Sequence, residues 1–150
     1  MMLLGAVYES GAVPGRALEA ANALYRKAAE RGNVQAMWRL GVNHTGSKGG
    51  TADNEQAVFW LRRAAEGGHD MAAWALGKMH LAGRLVDKDV VQGIRYLQQA
   101  ATAGSREAGL NLAEIYREGK HGVPVDAAEA DRWQRFSGGQ PAAVTEQHDG

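Results

Sequence analysis

Residues 36–68 read AMWRLGVNHTGSKGGTADNEQAVFWLRRAAEGG, and this stretch decides the fold. Ala36, Leu40 and His44 are spaced i, i+4, i+8, so they share one stripe of a helix running from about Ala36 to Thr45. A glycine-bearing turn follows, from Gly46 to Thr51. Asp53 stands three residues before Gln56, the spacing of a capping box with Asp in place of Ser or Thr, and starts a second helix. Gly68 ends that helix by supplying a left-handed C′ position. The frame then returns every 36 residues. Leu40-Gly41 recurs as Leu4-Gly5, Leu76-Gly77 and Leu112-Ala113, and Ala64-Ala65 as Ala28-Ala29 and Ala100-Ala101. Gly68 recurs as Gly32 and Gly104, Ala36 as Ala72 and Ala108, and His44 as Tyr8, His80 and Tyr116. The caps return as Asp89 with Gln92 and Asp126 with Glu129. Several independent columns in one register define an internal repeat of two helices per unit.

Composition agrees with that reading. The chain has 150 residues, enough for one domain with a core. Alanine (27) and glycine (20) dominate, while Val and Ile together contribute 13, which favours helices packed through small residues over a large sheet. A glycine in mid-helix costs about 1 kcal/mol against alanine. Its recurrence at one place predicts that another helix approaches there too closely for a side chain. Lys plus Arg (17) equals Asp plus Glu (17), which removes the basic footprint of a nucleic-acid binder. The 45 % hydrophobic content is too high for a disordered chain.

There is no cysteine, hence no disulfide, thiolate metal site or thiol nucleophile. No apolar run approaches the roughly 18 residues of a membrane span, so no membrane insertion is expected. The start, Met1-Met2-Leu3-Leu4-Gly5-Ala6, lacks a basic n-region and a full apolar h-region. The expected location is periplasmic if an export signal has been removed and cytoplasmic otherwise.

The pattern Ala-x3-Leu-Gly-x2-Tyr-x2-Gly, then Asp-x3-Ala-x2-Trp-x3-Ala-Ala-x2-Gly, resembles the Sel-1-like repeat, a relative of the tetratricopeptide repeat. The second unit carries it best, through Ala36, Leu40, Gly41, Asp53, Ala57, Trp60, Ala64, Ala65 and Gly68. The departures are His44 and His80 for Tyr, Ser47 for Gly, Gly93 for Ala, and no Asp cap in the first unit. The resemblance implies an all-α fold, an α-α superhelix or solenoid of about four helix-turn-helix units. They are placed at residues 1–32, 33–68, 69–104 and 105–136, the first with a short or cut first helix. One extra residue before Ala130 puts Trp133 in the slot of Trp60 and Tyr96. Ser137-Gly138 replaces Ala-Ala, so the last helix reads as a terminal cap. Residues 137–150 read as a disordered tail.

Catalysis finds no motif: there is no His-Glu-x-x-His, phosphate-binding Gly-rich loop, Gly-x-Ser-x-Gly or Ser-x-x-Lys. No cofactor and no metal are expected. His44 and His80 read as core imidazoles in a tyrosine slot, since equivalent positions on successive helices lie about 8–10 Å apart, too far to share a zinc. His69, His121 and His148 show no ligand spacing. Arg26-Lys27, Arg62-Arg63 and Arg135 form a stripe read as a solvated face, with Glu30 and Glu66 one turn on to pair with it.

Trp38 and Trp74 each precede a Leu-Gly by two residues, about 160° around the helix from the buried Leu. The resemblance implies that this face of the first helices lines a concave groove. Its residues are Trp38, Val42 and Thr45, then Trp74, Lys78 and Leu81, then Leu110, Glu114 and Arg117, with Met2, Ala6 and Glu9 in the first unit. Either the two indoles pack on each other or they grip a partner; Trp is enriched at interface hot spots. The expected function is non-enzymatic binding of another protein by a monomer. Within the resembled family it extends to an immunity protein that neutralises a secreted bacterial effector. The alternatives are an adaptor in an envelope assembly and, more remotely, a hydrolase with an unrecognised site.

Overall fold

The computed structural model describes residues 15–46 and 52–138. Among them are seven α-helices and no strand: α1 (Gly15–Glu30), α2 (Val34–His44), α3 (Asn54–Glu66), α4 (Asp70–Ala82), α5 (Val90–Thr102), α6 (Arg106–Glu118) and α7 (Ala127–Ser137). A 3-10 turn, Lys120–Gly122, stands between α6 and α7. Leu4-Gly5, Tyr8 and the groove positions Met2, Ala6 and Glu9 lie outside the described residues, as does the tail from 139 onward. The chain divides into two compact units, Met1–Ala72 and Ala73–Gly150.

The helices form where their ends are satisfied. Asp53, Asp89 and Asp126 each accept, at 3.1 Å, the backbone N–H three residues on, from Gln56, Gln92 and Glu129. This is half of a capping box. The Asp backbone N–H groups do not turn to the Gln or Glu side chains. They donate to the carbonyls of His44 (2.7 Å), His80 (2.9 Å) and Tyr116 (2.8 Å), tying each second helix to the end of its first. Gln56 is thereby free to accept from the indole N–H of Trp60 at 3.2 Å.

The joints between successive repeats are shorter. Gly32, Gly68 and Gly104 have φ of +95°, +91° and +116°, with open space where a side chain would stand. Backbone conformation alone therefore demands glycine at these positions. The next residue serves two helices at once. The N–H groups of Asn33, His69 and Ser105 donate back to the carbonyls of Ala28, Ala64 and Ala100, at 3.0, 3.0 and 2.9 Å. Their side chains accept forward, from the N–H groups of Ala36 (2.9 Å), Ala72 (3.2 Å) and Ala108 (3.1 Å). Each is C″ of one helix and N-cap of the next, which starts α2 at Val34, two residues before Ala36.

In the first unit Tyr25, Leu40 and Leu61 are fully buried, joined by the small residues Ala36, Ala57 and Ala64. A methyl group on Gly41 would stand 2.7 Å from Leu61 Cδ2 and 3.3 Å from the Ala57 carbonyl oxygen, so the mid-helix glycine marks the close approach of α3 to α2. In the second unit Leu76, Leu97 and Leu112 form the core. There a methyl on Gly77 would meet Leu97 Cδ2 at 2.8 Å and the Gly93 carbonyl at 3.0 Å. The last helix changes character. Val58 and Leu61 of α3 are buried, but their counterparts in α7, Asp131 and Gln134, are polar and exposed.

Candidate functional site

In the first unit α2 carries Trp38, Val42 and Thr45, all half-buried. The Trp38 indole stacks on the imidazole of His69, with centroids 5.1 Å apart and planes 19° apart. Because His69 Nδ1 accepts from Ala72, its Nε2 carries the proton and donates to Gln35 Oε1 at 2.9 Å. Burial lowers the His69 pKa, against the opposing pull of Asp70. No repeat signal marks His69, since its counterparts are Asn33 and Ser105 and only the cap is shared.

The tyrosine-slot histidines differ. His80 is buried and stacks on Tyr96 at 5.6 Å. His44 is half-buried, with Nε2 at 3.5 Å from Arg26; burial and then the Arg26 charge lower its pKa, Asp53 opposing. Among the described residues no ion pair joins the basic stripe to Glu30 or Glu66. Arg63 leans over Phe59 (5.8 Å) and Trp60 (5.5 Å) instead, because these rings flank it on α3.

The second unit brings together three of the nine sequence-derived positions, Lys78, Leu81 and Glu114, with Trp74 at their edge. Trp74, half-buried on α4, donates its indole N–H to Asn111 Oδ1 on α6 at 2.7 Å. The Lys78 ammonium lies 4.4 Å over the Trp74 ring. Lys78 and Leu81 of α4, Asn111 and Glu114 of α6, and Lys120 of the 3-10 turn line a cleft of about 210 Å³. Lys120 Nζ bonds Glu114 Oε2 at 2.9 Å and lies 3.9 Å from Glu118, and the Glu114 bond raises its pKa. Leu110 stands exposed beside Asn111, and Arg117 is exposed one turn beyond the residues lining the cleft.

Leu81 is the position where the surface reading fails. It is only 7 % exposed, because it fills the space left by Gly93, where a methyl would meet Leu81 Cγ at 2.8 Å. It serves as floor. Sequence reasoning missed Asn111 and Lys120. Asn111 corresponds to Arg39 and Ala75, so no column points to it, and Lys120 lies in the one turn that departs from the common length.

Among the described residues no three His, Cys, Asp or Glu are placed to hold a metal, and no helix is long and apolar enough to cross a membrane.

Comparison with known proteins places this arrangement. The Sel1 repeat profile matches residues 1–33, 34–69, 70–105 and 107–133. The chain is similar to a Sel1 repeat protein from Oxalobacter formigenes, at 30 % identity and a TM-score of 0.77 over 90 % of this chain and 55 % of that one. It is also similar to c5321, a protective antigen of uropathogenic Escherichia coli strains displaying an SLR fold, at 35 % identity and a TM-score of 0.71. That match covers 79 % of this chain and 25 % of the antigen, so the chain spans about a quarter and about half of these two proteins. The immunity protein Pa5087 from Pseudomonas aeruginosa is 20 % identical with a TM-score of 0.41, over 89 % of this chain and 62 % of that one. No curated protein matches the chain. Four matched repeats, seven helices among the described residues and two solved repeat proteins at 30 % identity or more agree on an all-α solenoid built from protein-interaction repeats: the chain belongs to the Sel1 repeat family.

Proposed function

We propose that the protein is a non-enzymatic binding module that holds a partner protein on the face of its first helices. That face comprises Trp38, Val42 and Thr45 on α2, Trp74, Lys78 and Leu81 on α4, and Leu110, Glu114 and Arg117 on α6. One observation carries the reading: Lys78, Leu81 and Glu114, chosen by repeat position and by the groove that the family resemblance implies, line one cleft with an indole anchored at its edge. A half-buried Trp beside a cleft with a buried floor has the features of an interface hot spot, where truncation costs about 2 kcal/mol or more.

The test is affinity capture from the native source with the wild type and with Trp38→Ala plus Trp74→Ala. The double variant is expected to keep its helical circular dichroism and lose its partner. A folded double variant that retains every partner refutes the reading. Stoichiometry then separates the narrower roles. One tight partner whose toxicity is suppressed makes the protein an immunity protein, and several weak partners make it an adaptor.

A further inference from the structure

The cleft of the second unit presents hydrogen-bond donors whose acceptors are spoken for elsewhere or missing. An indole N–H can only donate, so the Asn111 atom it meets at 2.7 Å is the carbonyl oxygen. That bond uses the amide's acceptor and fixes its orientation. The Nδ2 group is left with two protons and no partner among the described residues. Lys78 is in the same position. Its ammonium rests on the face of Trp74 and has no carboxylate within ion-pair distance among the described residues. One indole therefore gathers both donors, one through its N–H edge and one over its face.

The carboxylate in the lining, Glu114, is already closed by Lys120. Within the lining Glu114 and Lys120 cancel and Lys78 adds one positive charge, while Glu118, 3.9 Å from Lys120, stands outside the lining. Beneath this rim lie Leu81 and Ile115, 7 % and 3 % exposed, which form an apolar floor. A free inorganic anion would satisfy the rim and leave the floor wet. A purely apolar segment would cover the floor and leave two donors desolvated without acceptors, which costs more than the contact gains.

The geometry points to one occupant: a partner polypeptide segment that mixes acidic and apolar side chains. Its carboxylate sits between Lys78 Nζ and Asn111 Nδ2, and its apolar neighbour lies on Leu81 and Ile115. This rests on the proposed use of the first-helix face and names the chemistry recognised there. It also gives Glu114 a role as an internal competitor, since it occupies Lys120 and repels an incoming carboxylate.

The experiment is fluorescence anisotropy of the full chain with two labelled, end-blocked decapeptides. One has glutamate interspersed with leucine; the other has glutamine in place of every glutamate. The acidic peptide should bind, more weakly as salt rises, and the glutamine peptide at least tenfold less well. Lys78→Met, which keeps the apolar stem over Trp74, and Asn111→Leu should each weaken the acidic peptide about two- to fivefold, the scale of an exposed charged contact. Both should leave the glutamine peptide unchanged. Glu114→Gln should strengthen the acidic peptide by a similar factor, a gain that no loss of folding can imitate. Equal affinity for the two peptides, binding of neither, or indifference of the acidic peptide to Lys78→Met and Glu114→Gln overturns the inference. Those outcomes leave the capture experiment with Trp38→Ala and Trp74→Ala untouched, so the two readings fail separately.

Discussion

The helix pairs α2/α3 and α4/α5 share a design and differ at one contact. In both, a glycine in the middle of the first helix admits a leucine from the second, Leu61 at Gly41 and Leu97 at Gly77. In α2/α3 the residue facing the glycine is Ala57; in α4/α5 it is Gly93, and the Gly77 and Gly93 backbones face each other with no side chain between them. Gly93 looks like a flaw in the repeat until Leu81 is considered. The two pairs hold Thr45 with Ala57 and Leu81 with Gly93. A larger side chain on one helix is matched by a smaller one on the other, as close-packed interiors require. A departure from a repeat pattern can thus be half of a compensating pair.

Changes at the close approach test this contrast most strongly. Gly77→Ala should destabilise the protein by about 2 kcal/mol in urea titration, since the new methyl meets both Leu97 and a rigid carbonyl. Gly41→Ala should cost about 1 kcal/mol or less, because its carbonyl neighbour is further away, 3.3 Å against 3.0 Å, while the helix-propensity gain of about 1 kcal/mol is common to both. Equal costs would show that the backbones do not decide the difference. Next comes Gly93→Ala, whose methyl meets both Leu81 and the Gly77 carbonyl at 3.0 Å: it should cost about 2 kcal/mol in the wild type and less in a Leu81→Thr background, where only the carbonyl contact remains. Equal costs in the two backgrounds would break the compensation. The shared part of the design should respond equally: Asp53→Ala and Asp89→Ala should each lose about 1 kcal/mol of cap energy.

The smallest effect is that of pH. His69 and His44 hold a proton less readily in the folded chain than at the ordinary 6.5. The unfolded chain therefore binds more protons between the lowered values and 6.5. Their contribution is present above about pH 6.5 and is lost as pH falls through the folded values. The melting temperature should drop modestly between pH 7.5 and 5.0. His69→Asn, which restores the cap chemistry of Asn33, should shrink that drop; an unchanged slope would show that the joint is not where the proton acts.

Much of this was legible because it repeats. The helix pairs, the Asp caps, the left-handed glycines and the close approach at Gly41 and Gly77 each rest on a residue type that chemistry forces at a fixed interval. What was not legible was what varies between units. Leu81 reads as surface by its column, but Gly93 draws it inward. Asn111 has a role only because Trp74 lies within reach, a pairing across helices that no spacing encodes. His69 reads as a loop residue, and its function as cap and stacking partner depends on Ala72 and Trp38 together.

The doubly employed residue at each joint has a consequence for how such chains can lengthen. Asn33, His69 and Ser105 finish one helix and begin the next with nothing in between, so an insertion there would cost both ends at once. The opposite connection is forgiving. Nine positions separate His44 from Asp53 and His80 from Asp89, and ten separate Tyr116 from Asp126, yet the same N–H to carbonyl bond closes all three. The joints fix the interval from one repeat to the next, and the other edge absorbs growth. Novelty in sequence length is channelled to the turns that include Lys120, beside the cleft, where it can alter what is bound without disturbing the caps at the joints.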